Sequence, residues 1–118
     1  MNDEILFVLQ MTFPAERVEE VERLLRDLID VGKDREPELL GYEFFVDDVQ
    51  NKMYAFERYK DSAAVFAHME AAGETLNQLH EAVEFTRVEV FGDVSAELAE
   101  ALEPFKANIL KHWGGFTR

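Results

Sequence analysis

Two charged residues, Glu57 and Arg58, interrupt the aromatic run "YAFERY" over residues 54–59, and His68 follows in the next apolar helical pattern, "SAAVFAHME". On a strand over 52–59, alternation puts Met53, Ala55, Glu57 and Tyr59 on one face. Tyr54, Phe56 and Arg58 share the other, so one of the two charges must point where apolar neighbours point. Burying an unpaired carboxylate is costly. His68 sits about two turns into a helix that must fold back over this strand, so a Glu57–His68 contact is expected to offset the burial. Such a pair has two readings. It ties helix to strand, or it holds an imidazole in one tautomer ready to take or give a proton. The spacing leaves both open.

Tyr42, Phe44, Tyr59, Phe66 and His80 are the candidates to line the space between sheet and helices. An apolar cavity with few polar groups would suit a flat, hydrophobic, oxygenated molecule, although the same aromatics serve equally as core. His112 falls in the tail and is expected to be exposed. Glu57, His68 and His80 have the composition of a two-histidine, one-carboxylate metal triad, but their spacing carries no local signature, and no metal is expected. Phosphate-binding glycine loops, nucleotide fingerprints and nucleophile elbows are absent from the sequence.

The elements that must position these residues fit one domain of 118 residues. The chain is 47% hydrophobic, with 10 Phe, enough for a core without staples. It has no Cys, which excludes disulfides and thiol chemistry and agrees with a cytoplasmic setting. A net charge of −13 repels nucleic acid and anionic lipid surfaces, so neither is an expected partner. No signal peptide or membrane span is expected from the patterning.

Residues 4–13 read as a nearly continuous apolar strand. Pro14 stops it and starts a helix over 15–36, with Val18, Val21, Leu24, Leu25, Leu28 and Val31 as its stripe. Glu19–Arg23 and Glu22–Arg26 are spaced to pair on its wet side. Pro37 ends it. Strands over 40–47 and 52–59 form a hairpin around "DVQN". Asp61 or Ser62 caps a helix over 62–72, expected to bury Ala63, Val65, Phe66 and Met69. A shorter helix over 74–82 and a strand over 84–91 complete a β-α-β-β-α-β order. This predicts an α+β, ferredoxin-like split βαβ fold with helices on one face of an antiparallel sheet. Residues 1–92 form that unit. Residues 93–118 read as a C-terminal helical extension, capped by Ser95 and carrying Leu98, Leu102 and Phe105, followed by an apolar, Gly-containing tail. The sheet's second face is left apolar, and the extension is too short to shield four strands, so a homodimer packing sheet to sheet is expected.

The runs "EPELLGYEFFVDD" and "MYAFERYKDSAAVFAHME" resemble the antibiotic biosynthesis monooxygenase domain. The matching positions are Pro37, Gly41, Tyr42, Glu57, Arg58, Tyr59 and His68, within residues 4–92. Tyr59 stands where that family often has Trp, and Ala55 where some oxygenating members have a polar residue. The resemblance implies a dimeric α+β barrel and a cofactor-free monooxygenase acting on a quinol-like, phenolic or polyketide molecule with O2. In that reading Glu57 orients His68, His68 manages the proton, and Tyr59, Tyr42 and Phe44 shape the pocket. A non-enzymatic dimer binding a small aromatic ligand is the other reading of the same fold. Haem-degrading relatives share it too, but they have an Asn on the first strand that residues 4–13 lack, and His68 falls near their helix Trp.

Overall fold

A computed structural model describes residues 3–118. The strand expected at the N-terminus is β1 (Ile5–Thr12). Its odd-numbered residues, Ile5, Phe7, Met11 and the following Phe13, are buried, while Leu6, Val8 and Gln10 are only partly so. Pro14 begins a short 3-10 turn over Ala15–Arg17, which leads into α1 (Val18–Arg35). The apolar stripe of α1 is buried at Val21, Leu24, Leu25 and Leu28. On its wet side the ion pairs are Arg17–Glu20 and Arg23–Asp27 rather than the Glu19–Arg23 and Glu22–Arg26 pairs that spacing alone allowed. Exposed pairs of this kind are worth under about 1 kcal/mol each, so several rotamers compete.

The hairpin is β2 (Leu39–Asp47) and β3 (Lys52–Tyr59). Asp47 Oδ1 accepts from the Val49 and Gln50 amides, and Asn51 takes a left-handed conformation at φ 52°. Asp61 caps α2 (Ser62–Ala71) through the Ala64 amide. α2 buries Ala64, Val65 and His68, with Phe66 and Met69 half-buried and Ala63 exposed. The inner face is therefore rotated toward Ala64 and away from Ala63, with His68 inward on the sheet side as expected. α3 (Gly73–Ala82) and β4 (Glu84–Phe91) follow.

The strand order is β2-β3-β1-β4-β5, antiparallel except for the last pair. This is the ferredoxin-like α+β arrangement with one strand added. The addition corrects the expectation for the C-terminal tail: after α4 (Ala96–Leu102) and a 3-10 turn, Asn108–Leu110 form β5, parallel to β4. Three residues are too few to carry a strand period, so only the open edge of β4 reveals them. Gly92 makes the turn possible. Its φ is +127°, and a Cβ there would lie 2.7 Å from the Glu4 carbonyl oxygen.

Pairing fixes which side chains share a face. Phe7 lies opposite Glu57, Leu9 opposite Ala55, and Tyr42 opposite Glu57. These point toward the helices. The other face carries Leu6, Val8, Tyr54, Phe56, Phe45 and Phe91, with no element of the described chain over it; Phe45 is 51% and Phe56 44% exposed. The helix-side core falls into two clusters. One gathers Met11, Leu24, Leu28, Met53 and Leu79. The other gathers Ile5, Phe7, Tyr59, Val65, Val90, Leu98 and Leu102. Leu9 touches both clusters.

Candidate active site

Between the two clusters lies a cavity of about 400 Å³. This is within the range that holds a ligand of two or three rings. β1 lines it with Phe7, Leu9 and Met11, and β2 with Tyr42 and Phe44. Glu57 and Tyr59 come from β3, and Val65, His68 and Met69 from α2. His80 of α3 and Phe105 of the 3-10 turn after α4 belong to its rim.

Each polar side chain arrives by a specific local rule. Strand alternation with an inward Ala55 forces Glu57 and Tyr59 inward. His68 follows Ala64 and Val65 at helical spacing, so it faces the sheet as they do. Glu36 caps the C-terminus of α1, where Pro37 turns the chain into β2.

His68 Nδ1 lies 2.7 Å from Glu36 Oε1, and both residues are buried. The direct Glu57–His68 contact expected from the sequence is therefore corrected. Glu36 reaches the histidine from α1, while Glu57 accepts a 2.6 Å hydrogen bond from the Tyr59 hydroxyl. A carboxylate at Nδ1 requires that nitrogen to carry the hydrogen, which leaves the Nε2 lone pair free. Nε2 is 3.5 Å from the Tyr42 hydroxyl, on the cavity side. Tyr42 also packs edge-to-face with Phe44, at 4.9 Å between ring centroids, and with His68, at 5.2 Å.

Electrostatics sharpen the picture. Burial pushes the Glu57 carboxyl above its usual value of 4.5; nearby His68 and the Tyr59 hydrogen bond pull it back, and Glu36 pushes it further up. Burial, together with Glu57 and Glu36, raises Tyr42 beyond any working pH, so its hydroxyl stays a phenol. Tyr59 is raised likewise, first by burial and then by Glu57. His80 is depressed by desolvation where it meets Phe85 and Phe105 at 5.2 and 5.3 Å, although its edge reaches solvent. Glu36 Oε2 is buried without a hydrogen-bond partner. Leaving such an atom unpaired costs about 1–3 kcal/mol.

The structure brings together five of the named site residues, Tyr42, Phe44, Glu57, Tyr59 and His68, with His80 at the rim. Phe66 does not line the cavity; it packs against the second core cluster. His112 is exposed in the tail. Glu36 and Phe105 were not among the expected site residues. Glu36 had one readable signal: a carboxylate at a helix C-terminus opposes the helix dipole, a local conflict that marks a tertiary role. Among the described residues, no group of three His, Cys, Asp or Glu side chains is placed to hold a metal ion, and no helix is long and apolar enough to cross a membrane.

The family model described as antibiotic biosynthesis monooxygenase matches residues 5–74. No curated protein matches the chain in sequence. Among solved structures, the fold is similar to MupZ from Pseudomonas fluorescens, with a TM-score of 0.83 at 18% identity, covering 99% of this chain and 96% of that one. It is similar to SnoaB, a cofactor-independent oxygenase from Streptomyces nogalater, in its N63A mutant form. The TM-score there is 0.65 at 16% identity, over 80% of this chain and 96% of that one. A putative antibiotic biosynthesis monooxygenase from Bacteroides thetaiotaomicron gives 0.65 at 21% identity, over 75% and 85%. At these identities the likeness concerns the fold.

Proposed function

The chain belongs to the antibiotic biosynthesis monooxygenase family, and from that premise we propose that it oxidises a small phenolic or quinol-like molecule with O2, without a bound cofactor. The observation that carries the reading is the His68–Glu36 pair behind an apolar cavity: Nδ1 is fixed at 2.7 Å and Nε2 is left as a proton acceptor beside Tyr42. Deprotonating a phenol raises the electron density of its ring carbons, so that O2 can accept electrons from them directly. The pocket's part is to exclude water, orient the ring and take the proton. Tyr42 and Phe44 grip one side of the ring, and His80 shapes the entrance. SnoaB, a cofactor-independent oxygenase of similar fold, supports this chemistry.

The working unit in this proposal is a homodimer in the cytoplasm, two sheets packing through the open face that carries Phe45 and Phe56. The test is O2 uptake with reduced menadione. Wild type is expected to exceed the background rate, and His68→Ala to lose about 10²-fold. Uptake equal to background, with menadione bound equally by wild type and His68→Ala, would make the protein a binder of aromatic ligands instead.

A further inference from the structure

We propose that Glu57 is a second proton carrier of the pocket: its neutral carboxyl, oriented by the Tyr59 hydroxyl, protonates the oxygen that arrives from O2, while His68 serves the substrate's own hydroxyl. The inference rests on the oxygenase reading above and assigns Glu57 a role separate from His68.

Geometry comes first. Glu57 lines the cavity. Its Oε1 accepts the hydrogen bond from the Tyr59 hydroxyl. The groups that face it are few. Tyr59 stands on its own strand, and Tyr42 lies opposite on β2. Across from it on β1 is Phe7, which carries no charge. His68 acts from α2, and Glu36 from the end of α1. Two carboxyls in one dry site do not both ionise readily. Glu36 already pairs with His68 at 2.7 Å, so Glu57 is the carboxyl to which we assign the proton. Its upward shift through burial agrees with that assignment.

Proton counting gives each of the two carriers a place. Converting a phenol bearing a ring C–H to a quinone consumes one O2 and releases one water, with two protons leaving the substrate. His68 Nε2 takes the hydroxyl proton. The ring carbon donates an electron pair to O2, a C–O bond forms, and a peroxide anion results. Glu57 gives this anion a proton. The ring C–H proton then passes to Glu57, the O–O bond breaks, and the carbon becomes a carbonyl. The released hydroxide collects the proton from His68 and leaves as water. Both residues return to their starting states.

Infrared difference spectroscopy with 1-naphthol tests the protonation state without turnover. The expected result is a carboxylic-acid carbonyl band at neutral pH that shifts on 1-naphthol binding and is absent in Glu57→Gln. No such band, or a band that ignores the ligand, would overturn the proposal even if wild type consumes O2. Kinetics give the second readout on any quinol that turns over. Glu57→Gln should lower kcat about 10²-fold and abolish the basic limb of the pH profile, with ligand affinity changed under about threefold. Tyr59→Phe should move that limb to higher pH, because the lost hydrogen bond had favoured the ionised carboxyl. Wild-type kcat in Glu57→Gln would defeat the assignment. Failure of the oxygenase reading alone would look different: no O2 uptake, with the ligand-sensitive band still present.

Discussion

His68 Nδ1 and Glu36 Oε1 meet at 2.7 Å, although the histidine comes from the middle of α2 and the carboxylate from the last turn of α1. The contact clamps two helices together and sets the direction of the imidazole. Glu36→Gln keeps the size but allows the amide to donate to Nδ1, which favours the wrong tautomer. We expect kcat for quinol oxidation to fall about 10²-fold with KM little changed, measured by O2 uptake. An unchanged kcat would reduce the pair to a structural tie.

The buried Glu57 makes stability depend on pH with a definite sign. Its folded-state pKa is raised above the usual 4.5, so the folded chain holds this proton more tightly than the unfolded chain does. That contribution is fully present below about 4.5 and is lost as pH rises toward the raised value. Wild type should therefore lose stability relative to Glu57→Gln between pH 4.5 and that value. Urea midpoints of the two proteins across this range are the check, and parallel curves would contradict it.

Tyr59→Phe removes the 2.6 Å donor from a buried carboxyl. A loss of about 1–3 kcal/mol is expected, read as a drop in Tm of several degrees. If Tm is unchanged, the hydrogen bond contributes nothing net.

The open sheet face predicts oligomeric state. Phe45 and Phe56 lie edge-to-face on it at 5.4 Å, and both are exposed. A stable pair of chains needs roughly 800 Å² per partner, so a charge at the centre of the patch should be decisive. Light scattering of wild type should give twice 13.6 kDa, and Phe56→Glu should give 13.6 kDa. A wild-type particle of 13.6 kDa would remove the dimer from the proposal.

Gly92→Ala should be among the more damaging small substitutions. It demands a φ of +127° from an L side chain and drives a Cβ to 2.7 Å from the Glu4 backbone. Strain of this kind costs about 1–3 kcal/mol before the clash is counted. Denaturation midpoints provide the measurement.

The sequence revealed much of this architecture because its strongest signals are periodic. The stripe of α1, the alternation of β3 and the proline and glycine boundaries specify the element order and the inward face carrying Glu57 and Tyr59. Contacts that depend on tertiary geometry were not legible. Glu36 sits in "DREPE" among three other charges, where its place at a helix C-terminus hints at a tertiary role but does not name the partner. Only the fold of α1 against α2 places it under His68. The facing of α2 was legible only in part: the inward His68 was expected, but apolar residues ring the helix, so the pattern did not separate Ala64 from Ala63. β5 is three residues long and exists because the edge of β4 is open to receive it.

Ala101, Leu102 and Phe105 belong to the cavity wall, yet they lie beyond residues 5–74, the stretch that carries the family pattern. Part of the wall around the proposed proton carriers is thus encoded outside the stretch that carries them. Changing Ala101 or Phe105, which line the space without belonging to the buried core, would alter the guest a chain accepts while keeping the Leu98 and Leu102 packing around Tyr59. A relative with a different ending then inherits the same reactive core in a differently tailored vessel.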